Sequence, residues 1–336
     1  MQYVLLLKAH ANARYAQSIQ KLASIECESL LQSVGVDAKP YMETIAGQPF
    51  LAFDSEPLDD EAWRVLSRHS MAAFAAERQG ELLRPLCLKP VRYLPDDLAQ
   101  VLKYKGKTNV EFTAMLLHCA KSVSKFALSQ EPLTVLDPMC GRGTTVFCAM
   151  TEGDNAVGID ADEKAIAEAD AYLTRFFQFH RIKHKREERS LTLPWGRQAR
   201  ERRFGFAPDA QAFKRGETRE VRWIVGDSTQ RLLKPRSCHI AVADLPYGVQ
   251  HAPKEGRRMS TLEALLQSGL PVWREAVAPG GALALAFNTY TLPRETVCSL
   301  ASRAGWTVLG DPPYDDFAHW VEQAVNRDVV LCFNPD

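Results

Sequence analysis

The sequence has no net charge, because its 41 Lys and Arg residues are balanced by 41 Asp and Glu residues over 336 positions. Any surface that binds nucleic acid must therefore be local. The sequence also lacks a Cys-x-x-Cys pair and histidines at zinc-binding spacing, so no metal site is expected. Its eight scattered cysteines are expected to be reduced thiols, as in a cytoplasmic protein.

Long apolar runs are absent as well. No window reaches the roughly 18 apolar residues of a membrane span. The run Tyr3–Leu7 holds five apolar residues before Lys8 and is too short for the core of a secretory signal. Glycine and proline number 19 each, which excludes collagen-like and low-complexity chains. A globular, cytoplasmic protein without a membrane segment is expected.

The length favours about two domains. Residues 1–90 are predicted to form a small α+β module, with a first strand over 3–8, a helix that ends near Gly35 and a second helix over 58–68. The stretch 85–97 contains three prolines and no clear period, which is typical of a linker. The second domain is therefore expected to span residues 91–336.

Apolar β-type runs alternate with helical patterns through most of this second domain. Such alternation predicts an α/β fold, namely a mostly parallel, doubly wound sheet with helices on both faces. The rhythm breaks near the C-terminus, where the runs 306–309 and 329–333 are separated by a Pro-rich loop. These last two strands are predicted to close the sheet as an antiparallel hairpin.

A basic insertion interrupts the alternation at about residues 176–220. From Arg175 to Glu220 the chain carries thirteen Lys and Arg against six Asp and Glu, with aromatic residues interleaved, Trp195 among them. Such a mixture suits a phosphate backbone and unpaired bases. A solvated loop whose aromatic residues pin it to the core explains the same composition. Both interpretations stay open, and the first predicts phosphate contacts at Arg200, Arg202 and Arg203.

A glycine-rich turn follows the strand that ends at Asp137. Two glycines in the run Asp-Pro-Met-Cys-Gly-Arg-Gly let the backbone come close to a ligand before a helix begins. A carboxylate there would repel a pyrophosphate but suits a cationic ligand such as S-adenosylmethionine. The candidate cofactor-binding residues in this turn are Asp137, Pro138, Cys140, Gly141 and Gly143. A plain strand-to-helix connection is the alternative.

Three further acidic residues follow later strands. Asp160 lies 23 positions after Asp137, about where an acidic residue meets a ribose hydroxyl in a βαβ unit. Asp162 could share that contact. Asp227, in a Gly-Asp pair, is a candidate for the adenine amino group, although it could equally form a turn. All three are predicted to bind the cofactor.

The segment Asp244-Leu-Pro-Tyr-Gly248 follows another buried strand. It resembles the Asp-Pro-Pro-Tyr signature of S-adenosylmethionine-dependent amino-methyltransferases, and its form is similar to that of the tRNA guanine-N2 methyltransferase family. The resemblance covers about 104–333 and includes the acidic and glycine-rich loops above in the family's order. The resemblance implies a class I methyltransferase fold and an N-terminal RNA-binding module related to THUMP. It also implies that the segment Tyr104–Asn109 packs beside the methionine end of the cofactor.

The chemistry of this segment can be argued without the family. The lone pair of an exocyclic amino group is delocalised into the base, so acceptors must localise it before it attacks a methyl group. The Asp244 carboxylate and the Leu245 carbonyl can each accept one N–H bond. Pro246 favours an extended Leu245, which aims that carbonyl, and Tyr247 offers a ring for the base. Leu245→Pro is expected to be tolerated if the Leu245 amide is unpaired.

These observations predict an RNA methyltransferase that uses S-adenosylmethionine, with guanine N2 in tRNA as its target. A DNA adenine-N6 or cytosine-N4 methyltransferase is an alternative within enzymes. A catalytically idle RNA-binding subunit with the same fold is an alternative outside them. RNA is the expected partner, and the need for a small partner protein stays open.

Overall fold

Two helices and an antiparallel sheet make up the N-terminal part of the chain. The computed structural model describes residues 1–9, 13–102, 107–192, 198–247, 254–255, 258–259 and 262–335. The first sheet has the strand order β2-β3-β1-β4-β5. Its elements are β1 (Gln2–Leu7), α1 (Ala13–Gln32), β2 (Tyr41–Ile45), β3 (Gln48–Asp54), α2 (Asp60–Leu66), β4 (Ala72–Gln79) and β5 (Leu82–Leu86).

Local signals explain where the first helices begin and end. The Asp59 carboxylate accepts a bond of 2.8 Å from the amide of Ala62 and so caps α2. Gly35, with φ of +74°, adopts the left-handed conformation just after α1, as expected for a residue that ends a helix. Both helices lie within a few residues of their predicted bounds.

The strands β4 and β5 were not predicted, and β5 overlaps the expected linker. Four of the eight residues of β4 are alanine, which has little β propensity, so no strand pattern is visible. In β5, an edge strand, Pro85 pairs with Ala76 and the residues are exposed or half-buried. A proline is tolerated on such an edge because one side of the strand has no partner. The irregular connection therefore begins at residue 87, after Leu86.

The second part of the chain is built on a large mixed sheet. Its elements begin with α3 (Asp97–Gln100), α4 (Val110–Val123), β6 (Thr134–Asp137), α5 (Thr144–Thr151), β7 (Asn155–Asp160), α6 (Glu163–Phe179), β8 (Lys183–Thr192), β9 (Gln198–Ala207), α7 (Ala210–Lys214), β10 (Arg219–Val225) and β11 (Cys238–Asp244). They continue with β12 (Lys254–Glu255), β13 (Arg258–Met259), α8 (Leu262–Ala276), β14 (Val277–Asn288), α9 (Arg294–Arg303), β15 (Thr307–Leu309), β16 (His319–Glu322) and β17 (Val325–Phe333).

The strand order β15-β17-β14-β11-β6-β7-β10-β9-β8 confirms the predicted fold class. The five central strands, from β14 to β10, are parallel, and the chain winds outwards in both directions from β6. At one edge β17 runs antiparallel to β14 and to β15, which is the predicted closing hairpin. The architecture is the predicted doubly wound sheet with a closing antiparallel hairpin, and a small α+β unit precedes it.

Alternating residues of the parallel strands enter two separate cores. Val135 and Ala156 pack on one face with α4, α5 and α6, whereas Leu136 and Val157 pack on the other face with α8 and α9. This alternation is the reason that the strands read as continuous apolar runs. None of the helices in the described ranges has the length and apolar character that a membrane crossing requires.

The predicted basic insertion forms a β-hairpin rather than a loop. Its strands β8 and β9 extend the sheet beyond β10, and Phe204 and Phe206 are buried against Phe177. These two aromatic residues therefore belong to the core, because alternate side chains of β9 face inwards, whereas Phe179 at the end of α6 is exposed. Trp195 lies outside the described residues.

Carboxylates compensate much of the charge of this hairpin. Arg200 pairs with Glu163, and Arg202 and Arg203 lie 3.8 and 3.0 Å from Glu188 and Glu220. The three arginines predicted to contact phosphate thus already have acidic partners. The count along the chain missed this because the partners come from neighbouring strands and from α6.

A buried ionic network joins the two parts of the chain. Both ring nitrogens of His118, on α4, contact carboxylate oxygens: Nδ1 lies 2.7 Å from Glu26 on α1, and Nε2 lies 2.6 Å from Glu152, which follows α5. Since each nitrogen faces an acceptor, both donate and the ring is an imidazolium. Lys121 adds a second cation at 2.7 Å from Glu152 and 2.5 Å from Asp154.

This network predicts a loss of stability at alkaline pH. Burial opposes the charge on His118, but Glu152 and Glu26 outweigh it and raise its pKa from 6.5 to about 9. The folded chain therefore holds this proton more tightly than the unfolded chain. The contribution is complete below about pH 6.5 and is lost as the pH rises through about 9, a loss of roughly 3 kcal/mol.

The free energy of unfolding, measured with urea from about pH 6 to pH 10, tests this prediction. His118→Gln is the control, since it keeps a hydrogen-bonding side chain that does not titrate. We expect this variant to be less stable than the wild type at pH 6. Its free energy of unfolding should also change less between pH 6 and pH 10. Equal pH dependence of both proteins would show that His118 carries no charge.

Candidate active site

Acidic residues gather at one edge of the parallel sheet. Asp137, Asp160 and Asp244 end the strands β6, β7 and β11, and Asp227 follows β10 by two residues. Because parallel strands present their carboxyl ends at the same edge, residues far apart in sequence meet there. The charges of Asp160 and Asp244 both act on Asp137. The structure therefore brings together the acidic residues singled out in the sequence.

Asp137 is the most deeply buried of these carboxyl groups. Its Oδ1 accepts a bond of 3.1 Å from the amide of Met139, and Thr145 contributes a second hydrogen bond. Burial raises its pKa to about 7, helped by the charges of Asp160 and Asp244 and opposed by the two bonds. A cation beside this group would relieve the cost of its charge, so the site is suited to a positively charged ligand.

The glycine-rich turn is held against Asp160. The amide of Gly141 donates to Asp160 Oδ2 at 2.7 Å, and the amide of Asp162 donates to Oδ1 at 2.8 Å. Burial raises the pKa of Asp160, although these two bonds oppose the shift. The amide of Ala161 supplies a third hydrogen bond, so of the roughly four lone pairs of a carboxylate one is left that can accept from a hydroxyl. Asp160 therefore fixes the turn and can still bind a ligand.

The two glycines of the turn serve different purposes. Gly143, with φ of +88°, begins α5, and a Cβ added to it would lie 2.5 Å from the Trp223 ring. Gly141, with φ of +50°, would meet nothing within 4 Å. Packing explains Gly143, whereas Gly141 leaves open space above the backbone for a ligand.

Pro138 and Cys140 lie in the interior of the turn. The amide of Cys140 donates to the carbonyl of Ile159 at 2.9 Å, and burial raises the pKa of its thiol well above the ordinary range. Both side chains are buried, and Cys140 contacts the backbone of Gly158 closely enough to exclude a Cβ there. They shape the turn, and their side chains are not exposed to a ligand.

Asp162 and Asp227 have local partners. The Asp162 carboxylate accepts from the amide of Lys164 at 2.9 Å and so caps α6. Asp227 Oδ1 accepts from the amide and hydroxyl of Thr229, at 2.9 and 2.7 Å, whereas the partner of its Oδ2 among the described residues is Gln230, at 3.5 Å. The cap accounts for Asp162 without a ligand, and Asp227 keeps one oxygen for a donor such as an amino group.

Asp244 is held by two hydroxyl groups. Thr108 donates to its Oδ2 and Tyr247 donates to its Oδ1. Thr108 belongs to the segment expected beside the cofactor, of which Tyr104 lies outside the described residues, as does Gly248. The two bonds fix the carboxylate plane at the end of β11. A further donor can enter only where a lone pair is left or where a hydroxyl moves away.

Leu245 continues the parallel ladder beyond β11. Its amide donates to the carbonyl of Ala286 at 2.8 Å, and its side chain is buried. The condition set for tolerance of Leu245→Pro, an unpaired amide, is therefore not met, and we expect proline to destabilise the sheet because it would remove this donor and leave the Ala286 carbonyl unpaired. Leucine at this position keeps the sheet bond and still offers its own carbonyl, with half-buried Pro246 behind it.

Asn288 ties three loops to this site. Its Nδ2 donates to the carbonyls of Tyr247 and Ala324 at 3.3 and 2.9 Å, and its Oδ1 accepts from the amides of Tyr290 and Asn326, both at 3.2 Å. The side chain is buried. Asn288 therefore holds the segment that follows β11 against the turns that begin after β14 and before β17.

Thr108 and Arg327 were not identified as site residues. Thr108 lies in the segment Tyr104–Asn109, which the sequence placed beside the cofactor, but nothing about a threonine there indicates a bond to Asp244. Arg327 carried one signal, a basic residue inside the apolar strand Val325–Phe333, where a charge must have a specific partner. The described residues contain no group of three or more His, Cys, Asp or Glu that could hold a metal ion.

Comparison with known proteins shows remote similarities only. No protein-family model and no curated protein matches the sequence. A TehB-like SAM-dependent methyltransferase from Corynebacterium glutamicum is 14% identical with a TM-score of 0.37, over 62% of this chain and 83% of that one. TrmN from Thermus thermophilus is 17% identical with a TM-score of 0.40, over 88% and 59%.

The 16S rRNA methyltransferase RsmC of T. thermophilus, solved with AdoMet and guanosine, is 12% identical with a TM-score of 0.38. The match covers 88% of this chain and 50% of RsmC. This chain thus spans about half to three fifths of the lengths of RsmC and TrmN. Similarity at this level assigns neither an activity nor a substrate to the chain.

The glycine-rich turn gives a prediction that compares two neighbouring substitutions. Gly143→Ala places a methyl group against Trp223 in a left-handed conformation, and we expect it to lower the free energy of unfolding by about 2 to 4 kcal/mol. Gly141→Ala meets only the backbone penalty, about 1 kcal/mol. Urea unfolding of both variants measures the difference. Equal losses would mean that Trp223 does not constrain the turn.

Proposed function

We propose that this protein is an S-adenosylmethionine-dependent methyltransferase that modifies an exocyclic amino group of a base in RNA, with guanine N2 in tRNA as the specific target. The observation that carries the proposal is the Asp244 carboxylate at the end of β11, fixed by Thr108 and Tyr247 beside the Leu245 carbonyl. A cationic-ligand site lies on the neighbouring strands. The two together are what amino-methyl transfer requires.

The residues of the neighbouring loops fit this cofactor. The buried Asp137, whose pKa is raised to about 7, suits a positive charge. Gly141 leaves room for close approach, Asp160 has a lone pair left for a ribose hydroxyl, and Asp227 Oδ2 can accept from the adenine amino group. When bound, S-adenosylmethionine would supply an electrophilic methyl group.

The acceptor chemistry falls to the segment that follows β11. Asp244 and the Leu245 carbonyl each accept one N–H of the base, which localises the nitrogen lone pair for attack. Tyr247 gives up its hydroxyl bond to Asp244 as the amino group arrives, and its ring stacks on the base. Fixed acceptors need no reorganisation during the reaction, so they stabilise the transition state more than mobile ones.

RNA would be held by residues 1–90 together with the β8–β9 hairpin. The arginines of the hairpin have carboxylate partners, so a phosphate must compete with Glu163, Glu188 and Glu220 for them. Fewer counterions are then released than the raw excess of basic residues suggests. Affinity for RNA should therefore depend on shape and on base contacts as well as on charge.

Cofactor binding gives a test with a pH signature. If Asp137 binds a cationic group, the affinity for S-adenosylmethionine should increase as the pH rises through about 7, because the protonated form binds poorly. Asp137→Asn should weaken binding at least tenfold and remove that dependence. Calorimetry at several pH values measures both effects. Asp209→Ala, which removes only the cap of α7, is the control.

Methyl transfer tests the function itself. RNA and, in a separate reaction, DNA are incubated with S-adenosylmethionine that carries a deuterated methyl group, and the nucleosides of each are analysed by mass spectrometry. We expect labelled N2-methylguanosine in tRNA. In single turnover, Asp244→Ala should be slower by about two to three orders of magnitude with cofactor affinity unchanged. The exposed Asp316→Ala serves as control.

The possible products separate the alternatives. Label in adenine N6 or cytosine N4 of DNA would establish the DNA enzyme instead. Cofactor and RNA binding without any transfer would establish an idle RNA-binding subunit. An Asp244→Ala protein that is folded and reacts at the wild-type rate would exclude amino-methyl transfer at this site.

A further inference from the structure

Three side chains form a column beside Asp244. Arg327, on β17, is buried, and its guanidinium carbon lies 4.3 Å from the centre of the Phe112 ring and 4.8 Å from the centre of the Tyr247 ring. Phe112 belongs to α4, and Tyr247 follows β11. A planar guanidinium stacks on aromatic faces, so Arg327 holds the ring of Tyr247, which lies in a loop, against α4 and β17.

The same arginine acts on the polar end of Tyr247. Its guanidinium hydrogen-bonds the phenol, whose own proton is donated to Asp244. Burial and the charge of Asp244 raise the pKa of Tyr247 well above its ordinary range, and Arg327 opposes the shift. The phenol is therefore a neutral donor, held between a cation and an anion.

The backbone of Tyr247 is held by a residue next to Arg327 in the sheet. Asn288 and Arg327 face each other in the antiparallel pair β14 and β17. Asn288 donates to the Tyr247 carbonyl at 3.3 Å, while Arg327 covers the ring. Two neighbouring residues of the sheet thus fix both the backbone and the side chain of a loop residue.

We propose that Arg327 is a positioning residue that acts through Tyr247, making this ring a fixed platform for the methyl-accepting base. The inference rests on the proposed function. With the guanidinium on one face of the ring, a base would stack on the other. Stacking stabilises a bound base only if the ring does not have to be ordered at the same time, since ordering costs conformational entropy.

Fluorine NMR tests the positioning without any substrate. The nine tyrosines are replaced by 3-fluorotyrosine, and the signal of Tyr247 is the one lost in Tyr247→Phe. Arg327→Met should shift or broaden this signal, because the ring loses its cationic neighbour. Arg294→Met is the matched control: it removes another arginine bound to the same strand, 2.9 Å from Asp328, without a contact to Tyr247 in the described structure.

Kinetics test the consequence for the reaction. At saturating RNA, Arg327→Met should turn over about 10- to 100-fold more slowly, the range expected from loss of one stacked base. The affinities for RNA and for S-adenosylmethionine should stay within about twofold, because neither depends on this ring alone. Arg327→Lys keeps the positive charge but loses the planar guanidinium, so its turnover should lie between those of the wild type and Arg327→Met. In a Tyr247→Ala background Arg327→Met should add little.

Each outcome decides one of the two proposals. A Tyr247 signal that Arg327→Met leaves unchanged, or an unchanged turnover in an active enzyme, would overturn the role of Arg327. Equal effects of Arg294→Met would also overturn it. If Arg327→Met does not fold, Arg327→Lys and Phe112→Leu test the same column. A wild-type protein that transfers no methyl group contradicts the proposed function, whereas the fluorine signal still reports on Arg327.

Discussion

A protonated histidine that lies between carboxylates from two parts of the chain holds this molecule together. His118 joins Glu26 of the N-terminal unit to Glu152 at the end of α5, and it does so from the middle of α4. The start of the same helix adjoins the site, since Thr108 bonds Asp244 and Phe112 contacts Arg327. A buried ion pair is costly to break because it leaves an uncompensated charge. The ionic network thus fixes the helix that shapes the site.

The candidate active site places several carboxylates together at the buried ends of parallel strands, where little water can solvate their charge. Asp137, Asp160 and Asp244 end neighbouring strands, and burial, helped by the charges of Asp160 and Asp244, raises the pKa of Asp137. Backbone amides and hydroxyl groups stabilise each carboxylate only in part. A cationic ligand would supply the remaining stabilisation, and this is the physical basis for proposing S-adenosylmethionine here.

In the β8–β9 hairpin, the net charge counted along the sequence differs from the charge that the folded surface presents. Its excess of basic residues suggested a phosphate-binding surface. The fold places Glu163, Glu188 and Glu220 beside three of its arginines, because strands bring together residues that are distant in sequence. A net charge taken over a segment therefore overstates the free positive charge of its surface.

Local chemistry in the sequence determined the order of strands and helices, the glycine-rich turn and the acidic residues at the strand ends. Apolar periodicity and glycine conformation depend on near neighbours, so they can be read without a structure. The tertiary structure alone decided that Thr108 and Tyr247 hold Asp244, that Leu245 has a paired amide, and that Arg327 stacks on Tyr247. Alanine-rich β4 and edge strand β5 likewise became strands only through their pairing. Thr108 and Asp244 are 136 positions apart, and the packing of α4 on the sheet, together with the register of its strands, decides which of these side chains meet.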